Sequence, residues 1–130
     1  MQKTIINPWQ WQDQLGYAQA VEISHASHTL YCAGQAAVDA HGAPLPADMP
    51  GQLQAALANV ETVLTQAGYA LRDVVRINYL TTSIADFFPH YGAVVARLAQ
   101  HGCQAASTLV EVQALAFPGL LVEIEVTAAR

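Results

Sequence analysis

The sequence predicts an α+β subunit, a six-stranded mixed sheet with two helices on one face. Three observations carry that prediction. Two helix-length stretches place apolar residues at three- and four-residue steps, and strand-like segments flank each of them. The chain order, β-β-(β)-α-β-α-β-β, most simply sets both helices on the same side of the sheet. The 130 residues match one domain, residues 1–130, at the usual size of about 100 to 200 residues per domain.

After a short apolar start at Thr4 to Ile6, Tyr17 to Ser24 and Thr29 to Ala33 read as the strands of a hairpin, closed by the turn His25-Ala26-Ser27-His28. Asp39 to Pro50 carries Gly42, Pro44, Pro46 and Pro50, which neither a helix interior nor a central strand accommodates, so it reads as a surface loop. Asp48 can cap a helix whose stripe is Leu53, Ala56, Leu57, Val60, Val63, Leu64 and Ala67, ended by Gly68. Asp73 to Thr82 is apolar on both faces, as a central strand would be. Because Pro89 is excluded from a helix interior, the second helix is expected to start near Asp86 as N-cap, with Phe87, Phe88, Tyr91, Val94, Val95 and Leu98 buried and Gly102 as the stop. Ser107 to Leu115 and Leu120 to Thr127 then form strands around the Pro118-Gly119 turn.

Hydrophobic residues make up 53% of the chain and charged residues 12%, half the usual figure of about 25%. So few charges cannot cover the surface of a monomer, which predicts a homo-oligomer with the helix-free face of the sheet buried against other subunits. The net charge is −5, and the only cations, Lys3, Arg72, Arg76, Arg97 and Arg130, are scattered. Nucleic acid, which needs a basic stripe, is therefore not an expected partner. No apolar run reaches the 18 or so residues of a membrane span, and the polar Asn7, Pro8, Gln10, Gln12 and Asp13 do not read as a signal peptide, so the expected location is cytoplasmic. Cys32 and Cys103 are too few for a disulfide framework and read as reduced thiols.

Among the five histidines, His25, His28, His41, His90 and His101, no pair has ligand spacing with a third partner, so no metal is expected. There is no G-x-S-x-G elbow, P-loop or G-x-G-x-x-G, which leaves acyl-enzyme chemistry and nucleotide cofactors without support; no cofactor is expected. What remains is Leu121-Val122-Glu123-Ile124-Glu125-Val126, whose alternation sends both glutamates to one side. That side is either a solvated strand face or part of an interface cleft. In a cleft, desolvation raises a carboxyl pKa toward the range useful for proton transfer.

Several motifs in order resemble the RidA (YjgF) family of imine and enamine deaminases. Tyr17-Ala18-Gln19 is similar to its Y-x-Q entry and Ala33-Gly34-Gln35 to its S-G-Q turn. Ala67-Gly68 followed by Asp73-Val74-Val75 matches its A-G-x-x-x-x-D-V-V junction, and Leu121 to Glu125 its closing [VI]-E-I-E strand. The resemblance runs from about Tyr17 to the C-terminus. It implies a chorismate-mutase-like α+β subunit, a homotrimer with clefts between subunits, and cofactor-independent hydrolysis of amino-acid-derived imines such as 2-iminopropanoate to a keto acid and ammonia. It also implies site roles: Glu123 moving protons between substrate and water, Tyr17 closing the cleft, and Gly34, Gln35 and Leu109 positioning a small-molecule ligand.

The chain departs from that pattern at three places. Where deaminating members have an arginine that grips the substrate carboxylate, the segment reads Gln104-Ala105-Ala106-Ser107-Thr108-Leu109, with Ser107 in the arginine's place or, on a one-residue shift, Ala106. Tyr91 stands where the family has a pocket asparagine, and Leu109 where many members have cysteine. An arginine clamp supplies charge-assisted hydrogen bonds of about 1.5 to 3 kcal/mol each, so its loss predicts an altered substrate range and a ligand that lacks an essential carboxylate or has it held differently. On its helix stripe Tyr91 reads more readily as a core residue than as a pocket residue. Arg76, or else Arg97, of a neighbouring chain is the candidate replacement for the clamp. A tautomerase- or cyclase-type biosynthetic enzyme and a non-catalytic binding trimer are the alternatives to hydrolysis.

Overall fold

A strand buried on one side must alternate apolar and polar residues, and the last strand of this chain does so from Val122 to Ala128. In the computed structural model, which describes residues 1–130, the strands are β1 (Gln2–Ile6), β2 (Ala20–Ser24), β3 (Thr29–Tyr31), β4 (Gln35–Ala36), β5 (Val74–Thr81), β6 (Ala106–Glu111) and β7 (Val122–Ala129). The helices are α1 (Met49–Gln66) and α2 (Ile84–Gln100). β7 buries Val122, Ile124, Val126 and Ala128 and turns Glu123, Glu125 and Thr127 to the other side. It runs antiparallel to the central strand β5, which pairs in parallel with β6; α2 makes the crossover that a parallel pair needs. β3 and β4 both pair antiparallel with the other edge of β7.

Both helices cover the same face. α1 lays Leu53, Ala56, Leu57, Val60 and Leu64 into the core cluster with Val122, Ile124 and Val126, and α2 adds Phe87, Val94 and Leu98. The expected Asp48 cap is present, its carboxylate accepting from Gly51 N–H at 3.1 Å. Pro50 lies in the first helical turn, where a missing N–H leaves no bond unmade, so the preceding loop is shorter than expected. Gly68 follows the C-cap with φ +79°, a conformation costly for any residue with a Cβ. Buried Gln52 ties α1 to β7, donating to the Gly119 carbonyl at 2.8 Å and accepting from Leu121 N–H at 2.7 Å.

Four expectations are corrected. β2 and β3 are not a hairpin: β2 pairs with β1, β3 pairs with β7, and the His25 to His28 turn carries the chain between them. Ser27 and His28 N–H both donate to the Arg130 carbonyl, so the turn belongs to the end of β7. The expected six-stranded sheet is a five-stranded mixed sheet and a two-stranded ribbon, joined by a single bridge between Ala18 and Ala106. Lys3 of the ribbon also donates to the Val74 carbonyl at 3.0 Å. The second helix begins at Ile84, not after Asp86, because Ser83 is the cap, accepting from Asp86 N–H, while Glu111 of β6 accepts from Ile84 N–H at 2.9 Å. Pro89 is tolerated inside because the carbonyl it leaves unpaired belongs to exposed Ala85. Finally β6 stops at Glu111, where Val112 N–H turns to the Thr81 carbonyl, short of the expected Leu115.

Two outcomes follow from this core. Ile124→Ala, at a fully buried position, should cost about 2 to 5 kcal/mol in urea unfolding, whereas Thr108→Ala on exposed β6 should cost far less. Burial pushes the Cys103 thiol from 9.0 up to about 11, even though the Lys3 ammonium nearby works against the shift. Above pH 9 the unfolded chain releases that proton and the folded chain keeps it, so stability should fall from pH 9 to pH 11. In Cys103→Ala the same titration of the urea midpoint should show a shallower fall.

Candidate functional site

The residues that the sequence singles out fall into two groups on opposite faces of the sheet. Ser107 and Leu109 sit opposite Ile77 and Tyr79 on the helix-covered face. There they meet Tyr17 and Tyr91, and with Tyr79, Phe87, Phe88, Leu15 and Ile84 these residues line a cavity of 330 Å³. Its wall is an aromatic cluster. Tyr91 stacks on Phe87 with ring centres 5.4 Å apart and stands edge-on to Tyr79 at 5.6 Å and to Phe88 at 6.2 Å. Such tilted contacts pair ring edges with ring faces, which holds the side chains in one arrangement.

Tyr91 is both a pocket wall and a structural tie. Its hydroxyl donates to the Leu15 carbonyl at 2.9 Å, holding the single 3-10 turn Asp13–Leu15 at the mouth of the cavity. Gly16 follows with φ +73°, and a Cβ there would lie 2.7 Å from Val95 Cγ1, so only glycine lets the chain pass this close to α2. Beyond it Tyr17 stands edge-on to Trp11 at 6.4 Å. Buried Gln12 accepts from the Gln19 amide at 3.3 Å, and Asn7 accepts from Gln19 N–H at 2.8 Å, which fixes this segment from the other side. Burial raises the phenol pKa of Tyr91, opposed by the Tyr79 hydroxyl, and raises that of Tyr79 well above its ordinary value. Both therefore stay neutral near pH 7 and serve as walls, not bases.

The second group lies on the helix-free face. Glu123 shares a rung with Leu80 and with Ala36 of β4. Gly34 lies so close that a Cβ on it would overlap Glu123 Oε1 and come within 2.7 Å of Cδ. Gln35 follows Gly34 in the chain but shares the Ile124 rung, which faces the helices, and its side-chain amide donates back to the Ala33 carbonyl at 3.1 Å. The two glutamates are now distinguishable: Glu125 accepts from the Asn78 amide at 2.7 Å, whereas Glu123 faces the Gly34 backbone. A single subunit cannot unite the groups. Leu109, Tyr79 and Ile124 form one rung toward the helices, and Val110, Leu80 and Glu123 form the next rung away from them.

The candidate replacements for the clamp are engaged elsewhere. Arg97 pairs with Glu61 at 2.7 Å between the helices, and Arg76 donates to Thr108 Oγ1 at 2.7 Å on the helix-free face. The histidines, cysteines and acids form no group of three able to hold a metal ion. Sequence reasoning placed Phe87 and Phe88 in the buried stripe; Phe87 is buried, but Phe88 is 48% exposed, and both wall an open cavity with Tyr79. The signal was present in Phe87 and Tyr91, four residues apart on one helix face and next to an aromatic in the central strand.

The geometry has relatives. The family model described as endoribonuclease L-PSP matches residues 12–130. A crystal structure of a Yersinia pestis protein of the conserved Rid family, itself of unknown function, is 35% identical over the whole of both chains with a TM-score of 0.87. The YjgF gene product of E. coli is 26% identical over 88% of this chain and 87% of its own, with a TM-score of 0.69. The protein mmf1, mitochondrial, of Schizosaccharomyces pombe is 33% identical over 85 residues, 65% of this chain and 50% of that one. This chain spans about half the length of the curated relatives it matches. With the α+β fold of two helices on a mixed sheet, the match across residues 12–130 shows that the chain belongs to the Rid (YjgF) family.

Proposed function

We propose that the chain is a cofactor-independent hydrolase of reactive imines and enamines, working in clefts between the subunits of a homotrimer. One observation carries the reading: the aromatic cavity and Glu123 lie on opposite faces of one sheet, so they complete a site only when the helix-free face of one copy meets the cavity of another. That face also asks for a partner. Asn78 Oδ1 is buried there without a hydrogen bond, a cost of about 1 to 3 kcal/mol that a donor from a neighbouring copy would remove. Val110 and Tyr31 are exposed on the same side.

In such a cleft Glu123 takes a proton from water as the oxygen bonds to the imine carbon and passes it to nitrogen, giving a carbinolamine. It then takes the carbinolamine hydroxyl proton and delivers it to the amino nitrogen as the C=O bond forms and the C–N bond breaks, so both water protons end on ammonia. The products are a carbonyl compound and ammonia. Gly34 lets its backbone approach the carboxylate, Tyr17 closes the entrance, and Ser107, Leu109 and the ring of Tyr91 hold the ligand. Gln35, bonded to Ala33, shapes the turn that presents Gly34. The surface favours a small molecule over RNA, because its five cations are dispersed and engaged within the chain instead of forming a stripe. No helix is long and apolar enough to cross a membrane. The proposed compartment is the cytoplasm, which keeps Cys32 and Cys103 as free thiols.

Glu123→Gln should lower ammonia release from a hydrolysed imine by about 100-fold or more at unchanged molecular mass, the usual weight of a general acid–base group. Glu125→Gln, which disturbs the Asn78 contact, should instead lower thermal stability and leave turnover within about a few-fold; equal loss of turnover in both would remove the assignment to Glu123. Light scattering should give about three times 13.9 kDa at micromolar concentration, and a stable monomer would end the shared-site reading.

A further inference from the structure

The chemistry of the cavity wall limits what can enter it. Resting on the hydrolase reading above, we infer that the substrate presents to this cavity an uncharged, ring-sized apolar group, and that the imine carries no carboxylate. Eight of the nine lining residues are hydrophobic and none is charged. The Tyr91 hydroxyl is taken by Leu15 and Tyr79 is only 2% exposed, which leaves the hydroxyls of Ser107 and Tyr17 as the accessible polar groups. An apolar cavity of about 150 Å³ is enough to bind benzene. At 330 Å³ this one accommodates a single ring with a short imine-bearing arm.

No cation in the chain is placed to neutralise a carboxylate there. Lys3 donates to the Val74 carbonyl, Arg72 is exposed beside Asp73, Arg97 pairs with Glu61, and Arg130 donates to the Gly68 carbonyl and lies over the Tyr69 ring. Arg76 alone is on the face that a neighbouring copy would bring to the cavity. Even so, the copy that supplies Glu123 from the Leu80 rung keeps Arg76 four residues along β5, about 13 Å away at 3.3 Å per residue. A carboxylate against these aromatic rings would lose its water and gain no counter-charge.

The test compares three imines made in situ by flavin oxidases from benzylamine, phenylglycine and alanine, reading ammonia release above the uncatalysed rate. The benzylamine and phenylglycine imines share the ring on the imine carbon and differ in the carboxylate. The benzylamine imine should be hydrolysed with kcat/KM at least about tenfold higher than either imino acid, the ratio given by 1.4 kcal/mol of lost anion stabilisation. Ser107→Arg, which puts a guanidinium at the half-buried rim of the cavity, should narrow or reverse that ratio. Equal or faster turnover of an imino acid by the unaltered chain would overturn the inference while leaving the hydrolase reading in place. Loss of that turnover in Arg76→Gln would identify the overlooked cation. If no imine is hydrolysed, the hydrolase reading fails, and the cavity is judged by NMR titration with phenylacetamide and phenylacetate. Tighter binding of the amide by about tenfold or more supports an uncharged ligand; equal, reversed or absent binding overturns it.

Discussion

β7 serves two environments at once, and its two-residue period is the constraint on which the rest depends. Val122, Ile124, Val126 and Ala128 must all face the helices, so Glu123, Glu125 and Thr127 must all face away. A slip of one residue against β5 would drive two carboxylates into a core made by α1 and α2. The register is therefore fixed, and with it the separation of Glu123 from the aromatic cavity. The placement of Glu123 and the cavity on opposite faces is a consequence of how the core is built.

The second determinant is the way α2 uses its aromatics. Phe87, Tyr91 and Tyr79 pack ring to ring, and the one hydroxyl directed at the N-terminal segment holds Leu15 in place. Gly16 then allows the chain to pass against Val95, so that Tyr17 arrives at the rim. Packing that stabilises the helix thus also shapes the cavity and positions its entrance. A residue such as Tyr91 has no need to choose between core and pocket: one side of the ring is buried among Phe87 and Tyr79 while another lines open space.

The Rid family relationship covers nearly the whole chain, yet family membership by itself leaves the ligand open. What the side chains add is polarity. With Ser107 and Leu109 on the helix side of β6 and every arginine engaged elsewhere, the pocket offers hydroxyls and rings where a charged grip would be needed to hold a carboxylate. The close Gly34–Glu123 approach and the unpaired Asn78 oxygen lie on the other face of the sheet.

Periodicity and capping chemistry are local, and whatever they control was legible in the residues. The Leu53 to Leu64 stripe, the Asp48 cap, the Gly68 stop and the alternation through Glu125 all appear in the structure as the sequence indicates. Strand partners were not legible, because backbone hydrogen bonds carry no side-chain signature. β2 could equally have closed a hairpin with β3, and only the contacts of Ser27 and His28 with Arg130 and of Ala18 with β6 decide otherwise. The start of α2 was hidden for a similar reason, since Glu111, 27 residues on, supplies the acceptor that lets the helix begin at Ile84. Alternation could not rank Glu123 against Glu125 either, because the difference lies in Asn78 and Gly34, on other strands and turns. The sequence by itself determined the elements, the buried stripes and the side of β7 on which carboxylates must lie, since these are set by neighbours within a few residues. Only the tertiary structure decided which residues share a cavity and which are kept apart by the sheet, because that depends on register and crossover, which bring together groups far apart in the chain.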